Sequence, residues 1–150
     1  MKEEDVDDWP RLVPELLVSD FGRSVLFYTQ VLGFTQIYGR PEDGFAVLDL
    51  GGAQIMIEQR YPGDARDWVA GELGYPYGRG MNLEITVDSV KPLHDSCVAC
   101  GARIFLPMEE QWYRRDAVLL GVQQFIVQDP DGYLLRFSQP LGRRPVGELQ

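Results

Sequence analysis

Few residues in this chain have the type and spacing that chemistry needs. One histidine, His94, stands in PLHDS, and two cysteines, Cys97 and Cys100, stand in CVAC. A redox CxxC wants its first thiol at a helix N-terminus, where the dipole lowers the thiol pKa. This pair instead runs into Gly101, a helix-end signal. Structural zinc wants four ligands, and His94 is the one other candidate nearby. Both cysteines therefore read as ordinary helical thiols. A Ser-His-Asp or Cys-His arrangement needs a base, and His94 falls on a helix whose exposed face is the expected place for it. The glycine-rich pieces GYPYGRG and LGG lack the strand-to-helix context of a phosphate loop. What remains is a set of charges among apolar strand positions: Glu15, Glu58, Glu84 and Arg136.

Arg136 is the most demanding of these. It sits in FIVQDPDGYLLRFSQP, where two apolar runs flank an Asp-Pro-Asp-Gly turn, with Pro130 supplying a fixed φ and Gly132 a positive one. An unpaired arginine on the face of a sheet is costly, so it calls for a partner or a ligand.

The elements that must position these charges are written twice. VPELLVSD from Val13 parallels NLEITVDS from Asn82, LGFTQIY from Leu32 parallels CGARIFL from Cys100, and FAVLDLGGAQIMI from Phe45 parallels FIVQDPDGYLLRF from Phe125. The alignment matches Met56 with Arg136. Each copy starts with a short strand (ELLV in the first). A helix follows, capped by Ser19 or Asp20 and ended by Gly33 in the first copy and spanning about 89–100 in the second. Three strands complete the copy: FTQIYG, FAVLDL and AQIMIEQ, then RIFLP or its continuation toward Tyr113, QQFIVQ and YLLRFSQ, with Gly51-Gly52 as a hairpin signal. The expected class is α+β: two βαβββ modules with curved mixed sheets in a single domain. Module one spans about 11–60, a connector 61–80, module two about 81–140, and tails 1–10 and 141–150. One helix covers one face of each four-stranded sheet, which leaves function to the other.

Composition narrows the classes. The chain has 150 residues, 45% of them hydrophobic, and a net charge of −9. Such a field repels nucleic acid and anionic membrane. Part of the acid is local, in MKEEDVDD, which reads as a frayed solubilising tail. No secretory leader and no apolar run of spanning length are visible, so a soluble cytoplasmic protein is expected.

Four segments in order, VSDFGRSVLFYTQVLGF, RPEDGFAVLDLGGAQIMIE, YPYGRGMNLEITV and FIVQDPDGYLLRFSQPLG, resemble the vicinal oxygen chelate superfamily of glyoxalases, extradiol dioxygenases and bleomycin resistance proteins, and most of all its bleomycin-resistance branch. The likeness runs from about Arg11 to Gly142. Metalloenzymes of that superfamily set His, Glu or Gln ligands on the first and last strands of each module. Carried over, those positions fall on Val13, Met56, Asn82 and Arg136. Valine has no lone pair, thioether sulfur is soft and guanidinium is a permanent cation, so the resemblance implies a fold without the family's metal site. A shift of two residues keeps the same face, which leaves open an unusual metal site using Glu15, Glu58 or Glu84.

The resemblance implies a non-catalytic protein that sequesters a drug-like or metabolite ligand in a pocket at a homodimer interface, with no catalytic residue, metal or cofactor. In that fold the first and last strands of a module lie side by side. Glu84 and Arg136 are then expected as an ion pair in the pocket floor, with Asn82 beside them and Met56 on the matching floor of module one. Aromatic walls would come from Trp68, Tyr75 and Tyr77 in the connector and from Trp112 and Tyr113 in EEQWYRRD, read as loops or strand ends. Two alternatives stand beside this reading: a divalent-metal-dependent enzyme of lyase or dioxygenase type, and a binder of an anionic metabolite.

Overall fold

The computed structural model describes residues 9–147, so the acidic MKEEDVDD segment lies outside the described residues. Its first half runs β1 (Glu15–Val18), α1 (Phe21–Leu26), β2 (Thr35–Arg40), β3 (Phe45–Leu50) and β4 (Ala53–Gln59). The second half repeats the order with β5 (Asn82–Thr86), α2 (Lys91–Ala99), β6 (Arg103–Arg115), β7 (Val118–Gln128) and β8 (Leu134–Pro145). Both halves are βαβββ, as the repeat predicts. The strands form two four-stranded sheets of matching order, β1-β4-β3-β2 and β5-β8-β7-β6. In each, the first and last strands are parallel and the other pairs antiparallel.

Local chemistry sets the boundaries. Asp20 caps α1, its Oδ1 accepting from the Arg23 backbone N–H at 3.0 Å. The helix then widens into a π-helical turn over Phe27–Val31 before Gly33 leaves it at φ 81°. In module two the helix starts at Lys91, behind Val90, with Pro92 in its first turn. The DPDG turn has the expected form, with Gly132 at φ 89°.

Period-two alternation sends Leu16, Val18, Ala46, Leu48, Ile55 and Ile57 from sheet one to the helix side, joined there by Ile85, Phe125, Val127, Leu135 and Phe137 from sheet two. These are one continuous core, shared by the modules. Ser96 of α2 donates to the Val31 carbonyl at 2.8 Å, so the two helical segments meet across it.

The largest difference from expectation lies in module two. β6, β7 and β8 are 13, 11 and 12 residues long, against 4 to 7 in sheet one. Trp112 and Tyr113 lie inside β6, which takes the longer of its two expected extents and passes it by two residues, and residues 141–145, expected in the tail, extend β8. The insertion between Phe105 and Val122 is thus a lengthened β6–β7 hairpin paired with β8. Among the described residues no helix is long and apolar enough to cross a membrane.

Candidate functional site

On the face of sheet one away from the core, the sequence alternation presents Glu15 and Leu17 from β1, Phe45 from β3, and Met56 and Glu58 from β4. The connector folds back over this face through Tyr61, Asp64, Arg66, Asp67 and Trp68 and encloses a cavity of about 550 Å³. Parallel pairing sets Glu15 level with Met56, and Leu17 level with Glu58. Glu58 stands beside Glu15 on this floor. The interaction with the Glu58 side chain, then burial, then the Glu58 charge push the Glu15 carboxyl up to about 7, against an opposing pull from Arg66. Near neutral pH the Glu15 carboxyl is therefore protonated part of the time.

The cavity wall is built around this pair. Trp68 donates its indole Nε1–H to Glu58 Oε2 at 3.3 Å while half of its surface stays open. Arg40 lies 4.2 Å from the centre of the Phe45 ring and bonds Asp43 through Nε at 3.1 Å. Arg60 reaches Asp67 at 3.8 Å. Six carboxyls (Glu15, Glu42, Asp43, Glu58, Asp64, Asp67) face three guanidiniums (Arg40, Arg60, Arg66), and Arg40 and Arg60 already have acidic partners. The surplus is negative and centred on the floor. Gln59, next to it, ties β4 to the start of α1 by accepting from Phe21 N–H at 2.8 Å and donating to the Ser19 carbonyl at 2.9 Å.

Sheet two carries the other half of the predicted set. Glu84 and Arg136 are register partners, and Arg136 Nη2 donates to Glu84 Oε2 at 2.9 Å, the predicted ion pair. Asn82, two residues along β5 on the same face, is exposed. Tyr113 is tied to the buried Gln124, whose Nε2 donates to its hydroxyl at 2.8 Å and to Glu109 Oε1 at 2.9 Å. Trp112 points to the other face of β6, where Arg144 stacks 3.9 Å from its ring. Tyr75 and Tyr77 pack by the DPDG turn: Tyr77 N–H donates to the Asp131 carbonyl at 2.8 Å, and its ring meets Tyr133 edge-on.

Of the nine predicted residues, Met56 and Trp68 share the cavity, while Glu84, Arg136, Asn82 and Tyr113 share the free face of sheet two. Tyr75 reaches the end of that second face, its hydroxyl donating to Gln128 Oε1 at 3.4 Å, while Tyr77 and Trp112 stand apart from both. Arg40, Phe45, Asp67 and Gln124 were not singled out from the sequence, because nothing marks them there except period-two position. His94 packs edge-on to Phe125 at 5.0 Å on the inner side of α2, not on an exposed face. Cys97 is buried, its thiol pushed up to about 12 by burial, and both cysteines are free.

The fold agrees with the comparisons. The family model described as Glyoxalase/Bleomycin resistance protein/Dioxygenase superfamily matches residues 12–137. The chain belongs to this superfamily. Solved structures with the same fold include TioX from Micromonospora sp. ML1, at 24% identity and a TM-score of 0.66 over 89% of this chain and 100% of that one. A protein of unknown function from Agrobacterium tumefaciens str. C58 follows at 22% identity and TM-score 0.65, covering 89% and 95%. A virulence protein from Salmonella typhimurium has 20% identity and TM-score 0.60, covering 87% and 97%. No curated protein matches the chain.

Membership in this superfamily raises the divalent ion of its metalloenzymes. Val13 lies before β1, and the register sets Glu15, not Val13, level with Met56, and Glu84, not Asn82, level with Arg136. The four positions on the two faces then hold two carboxylates, a thioether and a guanidinium, and the guanidinium has already engaged Glu84. Glu15 and Glu58 meet on sheet one while Glu84 stands on sheet two, so the three do not converge. Among the described residues no three His, Cys, Asp or Glu side chains gather as a metal site. The residues present do not fit the ion.

Proposed function

We propose that the protein is a small-molecule binder that sequesters a compact, planar ligand carrying positive charge, without chemistry on it. The observation that supports this reading is the cavity over sheet one, with an acidic floor at Glu15 and Glu58 and an indole wall at Trp68. A volume of about 550 Å³ suits a drug-sized molecule. A cationic ring system would stack on Trp68, and its charge would displace the proton that Glu15 holds. An anionic metabolite is less well served, because Arg136 is paired with Glu84 and two of the three cavity arginines have acidic partners.

The same reading includes a second copy of the chain. The free face of sheet two and the lengthened hairpin leave Phe105 and Tyr113 exposed, and a homodimer would cover them and close the pocket. Sedimentation velocity at micromolar concentration distinguishes a dimer from a monomer.

Binding is tested by titrating tryptophan fluorescence with proflavine, with metal-free and copper-bound bleomycin, and with a planar sulfonate as the anionic control. Saturable quenching by a cation, lost in Trp68→Phe and weakened tenfold or more in Glu58→Gln, supports the reading. Quenching by the sulfonate alone, or by none of these, would overturn it. A stoichiometric divalent ion in the purified protein, removed by chelation, would overturn the non-catalytic part.

A further inference from the structure

The outer edges of the two sheets are not protected alike. β1 and β5 are 4 and 5 residues long, and β2 is broken by a bulge between Gln36 and Tyr38. β6 is the remaining outer strand, and among the described residues no strand pairs with its outer side. Its first part is blunted by Pro107 and by two register shifts between Ile104 and Glu109. From Glu109 to Arg115 it then pairs residue for residue with β7, with no bulge, proline or glycine. A regular edge of that length is a template for another strand.

The charges along this stretch identify the strand that fits it. EEQWYRR is acidic before Trp112 and basic after it, at equal spacing on either side. A second copy laid antiparallel, with Trp112 opposite Trp112, sets Glu110 against Arg114 and Glu109 against Arg115, each pair occurring twice. The same two strands laid parallel and in register would set like charge on like, so the pattern selects the two-fold arrangement. Among the described residues none of these four side chains is in an ion pair within its own chain.

The backbone of the edge suits the same pairing. Asp116 and Ala117 form a two-residue turn, across which Arg115 pairs with Val118. Such a turn closes on a hydrogen-bonded pair and the bonds alternate from there, so Glu110, Trp112 and Arg114 direct their N–H and C=O outward. The bulky group at the centre leaves the edge clear. The Trp112 indole lies back over Gly121, where an added Cβ would meet it at 2.5 Å, and Arg144 stacks 3.9 Å from its ring. We infer that two copies of the chain join through β6, edge to edge and antiparallel about Trp112, so that two four-stranded sheets become one continuous sheet. This contact deepens the homodimer reading above and rests on it for stoichiometry, while naming the strand and the charges that form the interface.

Charge swaps in the full chain, read by sedimentation velocity, test it. Glu110 and Arg114 are exposed, so changing them leaves the core intact. Glu110→Arg and Arg114→Glu should each weaken self-association at least tenfold. An equimolar mixture of the two variants should recover it, and so should Glu110→Arg combined with Arg114→Glu in one chain. Both restore opposite charges across the edge, whereas within one chain the two residues stand about 14 Å apart along the strand. A nitroxide on Ala117→Cys in a Cys100→Ser background gives a readout with the charges unaltered, since Ala117 is exposed and Cys97 is buried. The two labels should lie about 30 Å apart, the tips being offset by about ten residues of strand. A monomeric unaltered protein would overturn the homodimer reading and this inference together. A dimer that either single swap leaves intact, that the double variant fails to restore, or whose labels lie at another distance would overturn the β6 contact alone.

Discussion

Glu15 ionises late because its nearest neighbour is a second carboxyl, and this gives the cavity a measurable signature. A folded-state value of about 7 against 4.5 for the ordinary group means that the native state binds the proton more tightly. The stability contributed is fully present below about 4.5 and is lost as pH rises through about 7. Glu58→Gln removes the like charge and supplies an amide donor, so the Glu15 midpoint, followed by carboxyl carbon NMR, should fall from about 7 toward 4.5. A midpoint that stayed near 7 would mean that burial, not the pair, sets it. Asp129, in the DPDG turn, offers a second case. Burial raises it to about 6, while hydrogen bonds from the Tyr133 backbone, the Tyr28 hydroxyl (2.8 Å) and the Asp131 backbone oppose that rise. Its contribution is therefore present below 3.8 and lost as pH rises through about 6. Tyr28→Phe removes a buried charge-assisted bond, so it should cost on the order of 2 kcal/mol at pH 8. The cost should be smaller at pH 5, where Asp129 is largely protonated. Urea unfolding at the two pH values checks this, and an equal loss at both would show that the hydroxyl does not support the charge.

At the scale of elements, the lengthened hairpin of module two is held by packing and cation stacking more than by burial. A Cβ at Gly121 would lie 2.5 Å from the Trp112 ring, and Arg144 covers the same indole. Gly121→Val should displace the indole, break the Arg144 contact and shift Trp112 emission to the red in a background with Trp9 and Trp68 changed to Phe. Because the arm lies outside the shared core, global stability should change by no more than about 0.5 kcal/mol. A loss of several kcal/mol would mean that the arm belongs to the cooperative unit. This element also shows where the sequence stops being legible. The βαβββ repeat, the Asp20 cap and the DPDG turn follow from local signals, and the Glu84–Arg136 pairing from the resemblance, which sets the first and last strands of a module side by side. The arm does not, since EEQWYRRD has no apolar alternation and its turn uses Asp116 at φ 54° in place of a glycine signal. The cavity was legible only in part. Strand alternation places Glu15, Met56 and Glu58 on one face, but the polar connector YPGDARDW has no period to reveal that it folds back over them.

At the scale of the molecule, the two modules are locked by a polar seam as well as by the shared core. Asp131, 3% exposed in the DPDG turn of module two, accepts from Ser19 N–H at 3.0 Å and Ser19 Oγ at 2.5 Å, at the end of β1 in module one. Arg23 of α1 stands 3.6 Å from the same carboxylate, and Tyr133 donates its hydroxyl to the Leu17 carbonyl at 2.8 Å. A turn that launches the last strand of one sheet is thus hydrogen-bonded to the first strand of the other. Removing it should be felt on both sides. Asp131→Ala leaves the Ser19 N–H without its acceptor and removes a buried carboxylate with its partners, a loss of about 3 kcal/mol. If the modules unfold as one unit, hydrogen-exchange protection should fall by the same factor, roughly a hundredfold, at Ile57 in sheet one and at Phe137 in sheet two, both fully buried. A fall at Phe137 alone would show that the seam fixes only its own turn. In that case the shared apolar core, not the polar contacts, would be what makes two written-out modules a single domain.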